Sequence, residues 1–280
     1  MISIKALIIC GFGINCEKET AYAFNMLNVE YKYAHLNELI KENFDLGRFH
    51  IIVFPGGFSF ADELGAGKAF ANKLKYKSDL RTRLVKFVDE GKCILGICNG
   101  FQVLSQLGFF SSEGITTLKA NIPNYFVDKW VKLNVCSSKC IFLQGLDSLY
   151  LPIRHAEGRF FADGDKTIES MLSKQMVALK YSEENPNGSL FSIAGVCDAS
   201  GRVFGLMPHP EAALFFESLP NWTVIKEDCI RANTQVPPYG PGLKIFKNAL
   251  NYLKEKFGQL PLPKGRGLPV ADAQTSAHID

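Results

Sequence analysis

Two stretches far apart in the chain hold the side chains that a nucleophilic triad needs, Cys98 in one and His209 with Glu211 in the other. Cys98 ends an apolar run, Cys93 to Ile97, and stands within Gly96-Ile97-Cys98-Asn99-Gly100-Phe101-Gln102. Beyond it Phe101, Val103, Leu104 and Leu107 recur at helical spacing, so the stretch reads as strand, sharp turn, helix. Glycines flanking a nucleophile at such a turn let the backbone pass tightly, and the new helix aims its N–H groups at the sulfur. Both influences favour thiolate over thiol. A cysteine in an apolar run is by itself most often a small buried hydrophobe, so a partner elsewhere has to decide the matter. Pro208-His209-Pro210-Glu211 follows a short apolar strand candidate, Val203 to Met207. In extended backbone, residues two apart point the same way, which puts Glu211 behind His209 where it can hold the ring. Thiol, imidazole and carboxylate together can open an amide through a covalent intermediate.

Strand ends must deliver these groups to one place. Ile4 to Cys10 is a continuous apolar run, as a strand buried on both faces requires, and Tyr31 to Leu36 and Ile51 to Phe54 are further strand candidates. Helical stripes lie between them: Glu17 to Leu27, with Ala21, Phe24 and Leu27 on one face, and Asp79 to Asp89, with Leu80, Leu84, Phe87 and Val88 inward and Asp79 as N-cap. This alternation predicts an α/β fold with an open, mostly parallel sheet flanked by helices. Ligands bind such sheets beyond the carboxyl ends of the strands, so Pro55-Gly56-Gly57-Phe58-Ser59 and the Cys98 turn are expected to meet there.

Past residue 110 the pattern becomes mostly extended. Trp130 to Cys136, Ile141 to Leu143, Tyr150 to Arg154 and Met176 to Lys180 read as strands. An additional antiparallel hairpin, Ile193 to Cys197 and Arg202 to Met207, is expected to deliver His209. Residues 212–242 read as irregular, an edge suited to a partner, and Leu243 to Phe257 as a closing helix. One domain is expected over residues 1–257, followed by a flexible C-terminal tail at 258–280, rich in proline, glycine and small polar residues.

The elbow around Cys98 resembles the G-x-C-x-G-x-Q motif of class I (triad-type) glutamine amidotransferases, and His209-Pro210-Glu211 resembles their H-x-E. Within that family the chain is most similar to the glutaminase subunits of phosphoribosylformylglycinamidine synthases. The likeness rests on Gly13-Ile14-Asn15-Cys16, Gly56-Gly57-Phe58-Ser59, the Asn99 after the nucleophile and His155-Ala156-Glu157-Gly158-Arg159, and it runs from residue 1 to about residue 255. The resemblance implies a flavodoxin-like fold and hydrolysis of glutamine through a thioester on Cys98, with His209 and Glu211 completing the triad. It implies an oxyanion hole from the N–H groups of Gly57 and Asn99, contacts to glutamine from Gln102 and from the backbone around Ala156 and Glu157, and no metal in the site. It further implies that this chain carries no cofactor. ATP and Mg2+ would belong to a larger synthetase subunit that takes the ammonia to aminate formylglycinamide ribonucleotide in purine (IMP) synthesis, with a small third subunit. A glutaminase serving another synthetase, a γ-glutamyl hydrolase and a non-catalytic regulatory module of the same fold are the alternatives.

Composition narrows the classes. With 47% hydrophobic residues the chain can build a substantial core, and a formal charge of +3 from interspersed acids and bases gives no nucleic-acid surface. The first apolar run is too short for a signal segment and no stretch is long enough to cross a bilayer, so a cytoplasmic protein with eight reduced cysteines is expected. Two stretches imitate nucleotide-binding loops and fail at required positions. Cys16 stands where a dinucleotide fingerprint needs its third glycine, and Asp62 and Ala69 replace the first glycine and the Ser/Thr of a P-loop. Cys136 and Cys140 lack the second pair that a four-ligand zinc site needs.

Overall fold

In the computed structural model, residues 3–65, 67–77, 79–111 and 113–258 are described. The tail expected at 258–280 lies outside the described residues from 259 onward. The first half alternates strand and helix: β1 (Lys5–Cys10), α1 (Glu17–Met26), β2 (Glu30–His35), α2 (Leu36–Leu39), β3 (Ile51–Phe54), α3 (Lys68–Lys77), α4 (Leu80–Asp89), β4 (Cys93–Ile97) and α5 (Asn99–Gln106). The second half is mainly extended: β5 (Thr116–Lys119), β6 (Val127–Val135), β7 (Ser148–His155), β8 (Arg159–Ala162), α6 (Asp165–Ser173), β9 (Val177–Tyr181), β10 (Ile193–Cys197) and β11 (Val203–Leu206). Two helices, α7 (Trp222–Arg231) and α8 (Leu243–Phe257), follow.

Nine strands form one sheet in the order β2-β1-β3-β4-β11-β10-β9-β6-β7, and β5 pairs with β8 apart from it. The pairings β1–β2, β1–β3, β3–β4 and β4–β11 are parallel, whereas β10–β11, β9–β10, β6–β9 and β6–β7 are antiparallel. The parallel half is an open sheet flanked by helices, and the antiparallel strands extend it. Its central strands are apolar on both faces because helices cover both: every residue of β3, β4, β10 and β11 is buried. Leu243, Ile245, Phe246, Leu250 and Leu253 form the buried stripe of α8.

Topology explains how distant segments meet. The chain runs from β1 to β2 on one side and to β3 on the other, so the turns after β1, β3 and β4 open on the same sheet end, at the switch in strand order. Parallel pairing of β4 with β11 sets Ile97 opposite Leu206, which brings Cys98 and the segment leading to His209 to that end. The Cys98 N–H donates to the Leu206 carbonyl at 2.8 Å and extends the pairing one residue past the strand.

Several expectations need correction. Ile141–Leu143 is a buried 3-10 turn, not a strand, clasped by Asn248 of α8, whose side-chain N–H groups reach the carbonyls of Phe142 (3.1 Å) and Gln144 (2.8 Å). Residues 68–77, which begin within the stretch that imitates a P-loop, form α3, and residues 212–242 are not wholly irregular because α7 lies among them with none of its residues buried. Asp79 occupies the N-cap position of α4 but makes no capping bond; its carboxylate lies 3.9 Å from Arg83. No described helix is long and apolar enough to cross a membrane.

Candidate active site

The turn at Cys98 is tightly constrained. Cys98 sits at φ 49° and ψ −102°, a left-handed backbone that a non-glycine residue adopts only when its surroundings impose it. Strand β4 imposes it from one side and α5 from the other, since the Gln102 N–H closes the first helical bond on the Cys98 carbonyl at 3.1 Å. The sulfur ends up at the N-terminus of α5, with its S–H directed at the Arg154 carbonyl 3.7 Å away.

His209 follows β11 in extended backbone, its N–H held by the Pro152 carbonyl of β7 at 2.8 Å. Glu211 reaches it differently from the extended geometry expected. Residues 210–212 form a 3-10 turn, and that turn swings the Glu211 carboxylate against the ring, Oε1 lying 2.6 Å from Nδ1. Both side chains are buried. Burial alone would favour a neutral ring, but the Glu211 carboxylate and then the Cys98 and Cys16 sulfurs outweigh it and hold the imidazole well above its usual pKa. With Nδ1 committed to Glu211, Nε2 is a buried nitrogen without a hydrogen-bond partner, turned away from the carboxylate.

The other expected residues surround this centre. Among the described residues, the N–H groups of Gly57 and Asn99 donate to no protein acceptor, one at the turn after β3 and one in the first turn of α5. Gln102 is committed to the protein: its Oε1 accepts from Asn99 Nδ2 (2.9 Å) and its Nε2 donates to the Glu157 carbonyl (2.8 Å). It therefore ties the elbow helix to the 155–158 loop. Ala156 is fixed through its carbonyl, which accepts from the Asn121 N–H at 2.8 Å. Beside Glu157, burial first and that neighbouring carboxylate second lift the Asp62 carboxyl to about 6, against the opposing pull of the Gly67 N–H.

This architecture matches known proteins along nearly its whole length. The model of the CobB/CobQ-like glutamine amidotransferase domain matches residues 3–253. The chain belongs to that family. A phosphoribosylformylglycinamidine synthase subunit PurQ from Methanococcus maripaludis is 41% identical over 268 residues, covering 90% of this chain and 98% of the relative. A subunit of the same name from Dehalococcoides mccartyi is 36% identical over 272 residues, covering 91% of this chain and all of its own. Among solved structures, a chain of PurLQS from Thermotoga maritima superposes with a TM-score of 0.67 at 30% identity, covering 90% of this chain and 100% of that one.

Two features of this amidotransferase domain escaped the sequence. Cys16, which marked only a family likeness and a failed glycine position, enters from the turn after β1, where the N–H groups of Asn15 and Cys16 both donate to the Gly56 carbonyl at 3.2 Å. Its sulfur, the His209 ring and the Glu211 carboxylate offer ligand atoms within 4.8 Å of one another. Asn121 is the second. Buried in the loop after β5, it donates through Nδ2 to the carbonyls of His155 (2.9 Å) and Tyr125 (3.0 Å) and accepts through Oδ1 from the Gly158 N–H (3.0 Å) and from His155 Nδ1 (3.2 Å). No local pattern announces a buried asparagine of this kind, because apart from the Tyr125 carbonyl its partners, on His155 and Gly158, lie far along the chain.

His155 gives this clasp a pH signature. Burial, and then the nearby charge of His209, push the His155 ring down to about 3. An unfolded histidine titrates near 6.5, so between about 6.5 and 3 the unfolded chain takes up a proton that the folded chain refuses. The sign is therefore a loss of stability as pH falls through that window, of order 2 kcal/mol between about pH 7.5 and pH 5. Denaturant unfolding across this range should show that loss, and His155→Gln should remove most of it while retaining an N–H donor for Asn121. An equally steep loss in the variant would assign the acid sensitivity to other groups.

Proposed function

We propose that this chain is the glutaminase subunit of a phosphoribosylformylglycinamidine synthase, hydrolysing glutamine to glutamate and ammonia and passing the ammonia to an ATP-dependent synthetase subunit. The observation that carries the reading is the His209 ring, fixed by Glu211 at 2.6 Å on one nitrogen and raised in pKa first by that carboxylate and then by the sulfur of Cys98, which stands at a strand-turn-helix elbow.

In this mechanism the Cys98 thiolate attacks the side-chain carboxamide carbon, and the electron pair of the C=O bond moves to oxygen. The N–H groups of Gly57 and Asn99 receive that oxyanion, a contribution of a few kcal/mol for each well-aimed donor. His209, its pKa raised by the Glu211 carboxylate and then by the neighbouring sulfurs, gives its Nε2 proton to the departing nitrogen, and ammonia leaves a thioester on Cys98. The now neutral ring takes a proton from water, the hydroxide adds to the thioester, and glutamate departs as the thiolate is restored. Glu211 holds the ring orientation throughout and balances its charge. Gln102 acts by fixing the Glu157 backbone, so the wall for the amino-acid end of glutamine, around Ala156 and Glu157, keeps its place relative to the nucleophile.

Ammonia released into water is protonated and lost as a nucleophile, so the reaction is useful only when delivered within a complex. The partner is the large synthetase subunit, with a small third subunit, and ATP and Mg2+ act there. The exposed side chains of Val224 and Ile230 on α7 suit that segment to a partner surface. A chloroketone analogue of glutamine tests the reading. Peptide mass spectrometry should find the adduct on Cys98, formed faster in the complex than in the isolated chain. An adduct on Cys16 in place of Cys98 would overturn the assignment of the nucleophile.

A further inference from the structure

We propose that Cys16 is a positioning residue for the hydrolysis: its backbone aims the Gly57 N–H at the oxyanion, and its sulfur braces the His209 ring. The role rests on the reaction proposed above, in which Cys16 holds no reacting atom. The turn after β1 nevertheless closes on both groups. The N–H groups of Asn15 and Cys16 both donate to the Gly56 carbonyl at 3.2 Å. That carbonyl and the Gly57 N–H are the two ends of one planar trans peptide group, so fixing the oxygen fixes the direction in which the N–H points. Two donors on the oxygen also polarise the amide and make its N–H a better donor. Gly57 lies directly against the turn: it bridges to Ile14, and a Cβ on it would stand 2.6 Å from the Gly13 carbonyl oxygen and 2.7 Å from Ile14 Cα.

The side chain serves the ring. A Cβ on Gly56 would lie 3.2 Å from Cys16 Sγ and 2.8 Å from His209 Cε1, so sulfur and imidazole flank the same glycine. Cys16 Sγ, a ring nitrogen of His209 and a carboxylate oxygen of Glu211 lie within 4.8 Å of one another. The ring therefore faces Glu211 from its own turn, Cys98 from the elbow, Cys16 from the β1 turn and His155 from the end of β7. Glu211 first, then the two sulfurs, favour the proton on His209, while His155, with its own pKa at about 3, stays neutral beside it. Burial holds the Cys16 thiol above the usual cysteine pKa, and its S–H rests on Asn15 Oδ1 at 3.4 Å, which leaves the sulfur lone pairs for the ring.

Helix α1 has no use for a cysteine at this place. Cys16 is its N-cap, a position where Ser, Thr, Asn or Asp would stabilise the helix through a side-chain bond, and the Cys16 side chain makes no such bond. The residue is anchored instead through its carbonyl, which accepts from the Thr20 N–H (3.1 Å) and from Thr20 Oγ1 (2.8 Å). The sulfur thus reaches the ring from a fixed base.

Cys16→Ala, in the full chain assembled with its synthetase, should lower glutamine-dependent kcat by about tenfold, less than the about 100-fold that a displacement of about 1 Å costs. KM should stay within about twofold, because Cys16 forms none of the wall for the amino acid. Each rate is taken relative to ammonia-dependent synthesis by the same preparation, so that any loss of folding or assembly cancels. The limb of the kcat–pH profile on which His209 loses its proton should move to lower pH, since one of the groups that favour that proton is gone. Cys16→Ser, which keeps a small polar group with lone pairs, should recover most of the rate. Gly56→Ala should also be slow, and combined with Cys16→Ala it should lose less than the product of the two single losses, because the methyl group enters space that the sulfur has left. In the wild-type chain the Asn15 and Cys16 amides should exchange hydrogen slowly. Wild-type kcat with an unmoved limb in Cys16→Ala, strictly multiplicative losses in the double variant, or fast exchange of both amides in the wild-type chain would each overturn the role. A chloroketone adduct on a cysteine other than Cys98 sinks the proposed reaction and the role with it, whereas an adduct on Cys98 beside any of those three results leaves the reaction standing and removes Cys16 from it.

Discussion

Cys98→Ala is expected to abolish glutamine-dependent synthesis by the assembled enzyme while leaving synthesis from added ammonia unchanged. The substitution removes the atom proposed to form the thioester with little disturbance of packing, since Cys98 is buried and its S–H is directed at the Arg154 carbonyl 3.7 Å away. With no nucleophile, the proposed acid-base His209 has no thiolate to serve, and the proposed oxyanion donors, the N–H groups of Gly57 and Asn99, can only polarise a substrate that nothing attacks. Knocking out the nucleophile of a triad costs about 10^4-fold or more in turnover, the remainder coming from binding and the oxyanion hole. Ammonia bypasses all of this because it enters after the step that fails. Parallel assays with glutamine and with an ammonium salt at high pH read the two branches. Equal loss of both would mean that the substitution damages the complex and that Cys98 has another role.

How much of this was legible before folding depends on whether the signal is local. The elbow was legible because its apolar run, its paired glycines and the helical spacing from Phe101 to Leu107 lie within one short stretch. The bounds of α8 were legible because fifteen residues carry an unbroken stripe at helical period. Ile141 to Leu143 was misread for the opposite reason: three consecutive apolar residues have no period, and a buried turn looks the same as a short buried strand. The α7 helix was missed because its apolar stripe, Trp222, Ile225 and Cys229, is short, is interrupted by charged residues and is only half-buried.

The site divides in the same way. His209 and Glu211 were found as a local pair, although a 3-10 turn rather than extended backbone brings them together. That they face Cys98 is a matter of sheet order, fixed by the β4–β11 register, which composition and period do not reveal. Cys16 was invisible as a member of the site for the same reason. Its place depends on β1 lying beside β3, so that the turn after one strand hydrogen-bonds to the turn after the other.

The structural side of the elbow makes the last prediction, for Gly100→Ala. A Cβ at Gly100 would stand 1.8 Å from the Phe54 carbonyl oxygen and 2.6 Å from its carbon, so the first turn of α5 rests directly on the backbone at the end of β3. A flexible side chain could swing aside, but a strand carbonyl cannot, because β3 is held between β1 and β4 and buried along its length. The methyl group therefore has to lift α5. Overpacking of a filled core costs about 1–3 kcal/mol when side chains can adjust, and a backbone-to-backbone collision belongs at or above the top of that range. Lifting α5 also moves the Asn99 N–H and the Cys98 sulfur relative to His209, which stays with β11. A displacement of about 1 Å at reacting groups costs about 100-fold in rate. Gly100→Ala should thus lower the denaturation midpoint clearly and reduce glutamine-dependent kcat by about 100-fold even at temperatures where the variant remains folded. Wild-type stability together with wild-type turnover would show that the helix does not rest on β3 as the structure has it, and with that the geometry assigned to the nucleophile would fall.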